Sequence, residues 1–107
     1  MTDIALRADE KGPNRSYLDA SLNAEGNLVL AGHDLGPGTA IVSPDGEYEY
    51  WITVKAGHFP QLLALLEANP DADVLQVLAE HWTGERSYEL ERLIRGSAIP
   101  QEFFSYS

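Results

Sequence analysis

At Lys55 the spacing of apolar residues changes from every second position to every third or fourth, and this divides the chain into a strand-forming first half and a helix-forming second half. From Glu47 to Val54 the alternation is strict. Tyr48, Tyr50, Ile52 and Val54 share one face, and Glu47, Glu49, Trp51 and Thr53 share the other. Tyr17 to Ala24 alternates in the same way, Leu18, Ala20, Leu22 and Ala24 against Asp19, Ser21 and Asn23. Leu28 to Ala31 is apolar on both faces, as a central strand is, and the turn Glu25-Gly26-Asn27 makes residues 17–31 a hairpin. Asp3 to Ala8 is a short first strand, broken at Gly12-Pro13-Asn14. Gly32 to Thr39 holds three glycines and a proline and reads as a loop. Ala40-Ile41-Val42 then pairs briefly before a type I turn at Ser43-Pro44-Asp45-Gly46.

Beyond Lys55, Phe59, Leu62, Leu63 and Leu66 fall at helical spacing, with Pro60 tolerated in the first turn. Asn69-Pro70-Asp71 stops that helix and caps a second, whose stripe is Val74, Leu75, Leu78 and Trp82. Gly84 ends the second helix. Ser87 is the expected N-cap of a third, with Leu90, Leu93 and Ile94 turned inward and Glu91 paired with Arg95 on the wet side. Gly96 and Pro100 close it, and Gln101 to Tyr106 returns as a strand with Phe104 and Tyr106 on one face. The order β-β-β-β-α-α-α-β predicts an α+β fold: a mostly antiparallel sheet of four to six strands with two to three short helices on one face.

At 107 residues, 44% of them hydrophobic and 22% charged, the chain is expected to fold as a single domain over residues 1–107 around one core. It has no cysteine, so its stability comes from packing rather than disulfides or thiolate-bound zinc, as suits a reducing, cytoplasmic setting. No secretory leader and no apolar run of membrane-spanning length is evident.

The net charge of -10 is unevenly spread. Between Ser16 and Glu85 eleven acids face a single Lys or Arg, Lys55. Binding to phosphate backbones depends on basic side chains, so nucleic acid and anionic membranes are excluded as partners, and the acidic surface serves either solubility or the docking of a basic protein partner. Oligomeric state is left open by the sequence.

Motifs for chemistry are sparse. Gly36-Pro37-Gly38 is not followed by a helix that could hold a phosphate, and Asp71-Ala72-Asp73 lacks the later glycine and glutamate of a calcium loop. His33, His58 and His81 lie on separate elements without metal-ligand spacing, and no nucleophile elbow is present. No catalytic residue, metal ligand or cofactor is therefore assigned. Two candidate sites stand out. One is a partner-binding patch: Trp51 on the acidic face of its strand and Phe103, out of phase with Phe104 and Tyr106, rimmed by Glu47, Glu49 and Glu102. The other is a loop pocket holding His33 and Asp34, which would suit a small hydrolase or metal-assisted enzyme.

Gly32-His33-Asp34-Leu35-Gly36, the strand Glu47 to Val54, the leucine helix after it and the tail Ile99-Pro100-Gln101-Glu102-Phe103-Phe104 together resemble a group of small, acidic, hypothetical bacterial proteins of actinobacterial type. The resemblance implies a bacterial cytosolic protein and carries over no catalytic residue. In layout the chain is also similar to acidic α+β immunity proteins that neutralise bacterial toxins. The resulting expectation is a non-enzymatic protein-binding domain, immunity or antitoxin-like, with the hydrolase as the alternative.

Overall fold

The computed structural model describes residues 3–36 and 46–106. Four strands, β1 (Ile4–Lys11), β2 (Asn14–Leu22), β3 (Leu28–Leu35) and β4 (Glu47–Val54), are followed by a 3-10 turn at Ala56–His58. Three helices come next, α1 (Phe59–Leu65), α2 (Val74–His81) and α3 (Glu85–Arg95), and then β5 (Glu102–Tyr106). The strands form one antiparallel sheet in the order β1-β2-β3-β4-β5. This is the expected α+β arrangement, with β3 at the centre. Among the described residues no helix is long and apolar enough to cross a membrane.

The period-2 residues build the buried face. Leu18, Ala20, Leu28, Leu30, Ile52 and Val54 are buried, and Leu62, Leu63, Val74, Leu78, Leu90 and Ile94 of the helices close over them together with Trp82, which follows α2. Each fully buried leucine or isoleucine contributes about 1.5 to 3 kcal/mol, so this single layer supplies the stability of the fold. Among the described residues the opposite face of the sheet has no such cover.

Several boundaries differ from the sequence reading. The segment 32–35 is not loop but the end of β3, paired along its length with β2 and β4. Its ladder bonds outweigh the turn preference of Gly32. Gly36 begins the connection to β4, and the pairing expected at Ala40-Ile41-Val42 and the turn at Ser43-Pro44-Asp45 lie outside the described residues. The second helix is capped by Asp73, whose Oδ1 accepts from the backbone N–H groups of Leu75 at 2.9 Å and Gln76 at 3.3 Å, rather than from the Asn69-Pro70-Asp71 stop. The third helix starts three residues earlier than expected, at Glu85, with Gly84 rather than Ser87 at the N-cap position. Ser87 is fully buried, and its hydroxyl donates to the Gly84 carbonyl at 2.6 Å.

One irregularity decides what lies between sheet and helix. Between Ala5 and Arg7 the pairing of β1 with β2 shifts by a residue, a β-bulge. Without it, Leu6 and Arg7 would face opposite ways; with it, both are buried, at 2% and 3% exposure. An arginine thereby enters the core.

Candidate functional site

The uncovered face of the sheet is built row by row from the strand register. Tyr17, His33, Glu49 and Tyr106 stand side by side on β2 to β5, and Asp19, Ala31, Trp51 and Phe104 form the next row. Ser21, Val29, Thr53 and Glu102 follow. The small side chains of Ala5, Ala8 and Ala31 leave a shallow concavity of about 410 Å³, walled by Tyr17, Asp19, His33, Glu49 and Trp51.

Of the patch expected from sequence, Glu47, Glu49, Trp51 and Glu102 do share this face, but Phe103 does not. The pairing sets Phe103 opposite Ile52, on the helix side, where its ring stacks on Tyr50 at 6.2 Å and lies under Arg95 at 4.3 Å. Phe104 takes its place, directly opposite Trp51 with ring centroids 5.6 Å apart. Phe104 is 62% exposed and Tyr106 66%, whereas Trp51 is half-buried by its neighbours. The aromatic surface is thus Trp51, Phe104 and Tyr106. Parity along β5 was readable from the sequence; which parity faces Trp51 depends on register with β4, which no local pattern encodes.

His33 and Asp34 do not converge. As consecutive strand residues they point to opposite faces. His33 Nε2 lies 2.9 Å from Glu47 Oε1 on the open face, while Asp34 accepts from the Ser16 hydroxyl on the helix side. Glu49 lies directly across from His33, and the ligand atoms of His33, Glu47 and Glu49 all fall within 4.8 Å of one another. Spacing along the chain gives no hint of this trio, because it is assembled across two strands.

Beneath the site, the bulged Arg7 anchors a polar network. Its guanidinium donates to Ser16 Oγ at 3.0 Å, Ser87 Oγ at 3.1 Å, Glu91 Oε2 at 2.9 Å and Tyr50 Oη at 3.1 Å. Tyr50 in turn donates to the other oxygen of Glu91. The Tyr88 ring packs on the guanidinium at 4.0 Å. Burial opposes the charge on Arg7, but the hydrogen bond and charge of Glu91 outweigh it and hold its pKa above the ordinary arginine value. Burial, then Glu91, push the Tyr50 hydroxyl far above its usual range, so it stays protonated. Among the described residues no buried side-chain polar atom lacks a partner.

This corrects the pairing of Glu91 with Arg95 on the wet side. The Glu91 side chain is only 16% exposed and bound to Arg7, while Arg95 donates to Gln101 at 3.1 Å. The network ties β1, β2 and β4 to α3 and holds Tyr50 rigidly inward. Trp51, the next residue of β4, is thereby fixed outward.

No protein-family model, curated protein or solved structure matches this chain.

Proposed function

We propose that this is a non-enzymatic, protein-binding domain of the bacterial cytosol whose open sheet face docks on a basic partner. Neutralisation of a basic toxin by an immunity protein is the form of that role to test first. The observation that carries the reading is the Trp51–Phe104 pair, two large aromatic side chains opposed across β4 and β5 on a face that no helix covers. Burying a tryptophan or phenylalanine is worth about 1.5 to 3 kcal/mol or more, which the isolated domain leaves partly unused. Interfaces concentrate binding energy in such aromatic anchors and surround them with polar groups.

Charge supports a particular class of partner. Asp19, Glu47, Glu49 and Glu102 lie on the same face as the aromatic pair, and the whole chain carries -10. A surface of that sign steers a basic protein toward it and repels phosphate backbones. We therefore expect no complex with nucleic acid, and a salt-sensitive shift of random duplex DNA at micromolar protein would contradict this. The hydrolase reading draws no comparable support, since His33 and Asp34 project from opposite faces of β3.

The test is site-specific photo-crosslinking in the native host. A photoreactive phenylalanine analogue at position 104 should capture a distinct basic protein, and the same analogue at exposed Ala79 on α2 should not. Capture of nothing from position 104, or of the same species from both positions, would overturn the assignment.

A further inference from the structure

The trio on the open face has a chemistry that partner docking does not require. His33 offers one imidazole nitrogen, and Glu47 and Glu49 offer carboxylate oxygens two residues apart on the neighbouring strand, so both point to the same side. The imidazole pairs with one of the two acids. It does so with Glu47, at 2.9 Å, and among the described residues Glu49 has no ion-pair partner. The cluster therefore holds more negative charge than its histidine can balance.

We propose that His33, Glu47 and Glu49 bind a divalent first-row transition ion, with zinc as the representative. An ion about 2.1 Å from each ligand atom holds those atoms about 3 to 3.5 Å apart. The three already lie within 4.8 Å of one another, and the side chains of His33 and Glu47 are 36% and 48% exposed. Rotation of the carboxylates closes the remaining gap without moving the backbone. The backbone is held by the ladder: His33 is paired with Tyr17 and Glu49 on its two sides, Glu49 with His33 and Tyr106, and Glu47 with Leu35 of β3. Mixed nitrogen and carboxylate donors suit zinc and its neighbours better than magnesium or calcium, which favour all-oxygen sites. Three protein ligands leave at least one coordination position open, and it would face the concavity beside Trp51 and Asp19.

This inference is independent of the partner reading, because the ion binds the isolated chain. Calorimetric titration of metal-free protein with zinc chloride should give one site per chain and a rise in melting temperature reversed by chelator. His33→Ala and Glu49→Gln should each weaken zinc about tenfold or more. His81→Ala is the control, since His81 sits beside Glu80 at 3.7 Å on α2 and is the other surface histidine next to an acid. That variant should bind as the parent does, and equimolar magnesium should not compete. Absence of a stoichiometric site, wild-type affinity in His33→Ala, equal loss in His81→Ala, or displacement by equimolar magnesium would each overturn the proposal. His33 and Glu49 are on the surface, so circular dichroism of the two variants should match that of the parent, keeping a loss of binding distinct from a loss of fold.

Discussion

Gly32 lies directly across from Tyr50 on the neighbouring strand, and a Cβ added at position 32 would fall 2.1 Å from Cζ of the tyrosine ring. The glycine is there so that the ring can lie flat over β3 and bring its hydroxyl to Arg7 and Glu91. A residue that reads as loop-forming in sequence is, in the fold, the floor beneath the central tyrosine.

Gly32→Ala should accordingly destabilise the domain by roughly 2 to 3 kcal/mol, because the ring must move and leave two buried charged groups short of a partner. Gly57→Ala is the matched control. Nothing lies within 4 Å of a Cβ there, so its cost should be within about 0.5 kcal/mol. Urea unfolding of both variants checks the pair, and equal midpoints would show that the ring is not held by this contact.

The Arg7–Glu91 bridge should show the asymmetry of buried charge. Arg7→Met leaves Glu91 unpaired beneath α3 and should cost about 3 to 5 kcal/mol. Replacing both, as Arg7→Met with Glu91→Met, removes the orphaned charge and should recover most of that loss. A double-mutant cycle by denaturant unfolding measures the coupling, and strictly additive losses would contradict it.

Alkali should weaken the fold through Tyr50. Burial, then Glu91, raise the folded-state pKa of its hydroxyl well above the ordinary 10.0, so the folded chain keeps a proton that the unfolded chain releases. Stability from this group is full below about pH 10 and is lost as pH rises beyond it, by about 1.4 kcal/mol per pH unit. Tyr88, raised by burial and by its bond to Asp9, acts in the same direction. Unfolding free energies measured from about pH 8 to 11 should show this decline, and Tyr50→Phe should flatten it by close to one proton.

What was legible in the sequence followed from periodicity. The strict alternation of Tyr48, Tyr50, Ile52 and Val54 placed β4 to the residue, and Leu62, Leu63, Leu78, Leu90 and Ile94 all turned inward as their helical spacing required. What escaped depends on relations between elements. The bulge that turns Arg7 inward leaves no mark in an alternation count, so along the chain Glu91 finds its cation in Arg95, at helical spacing. Likewise, Phe103 was exchanged for Phe104 in the aromatic patch, and His33 was separated from Glu47 and Glu49, because both depend on inter-strand register.

The docking role of the open face is tested most directly by Trp51→Ala, measured for both affinity and stability. The ring packs on Phe104 across the strands and lies outside the core, so its loss should cost the free domain about 1 kcal/mol, as a cross-strand pair does. Against the basic protein crosslinked from position 104, the same substitution should raise Kd about 30-fold, on the order of 2 kcal/mol. An unchanged Kd, or a loss of 3 to 5 kcal/mol from the free domain of the kind roughly expected for a core aromatic, would mean that Trp51 serves the fold and not a partner.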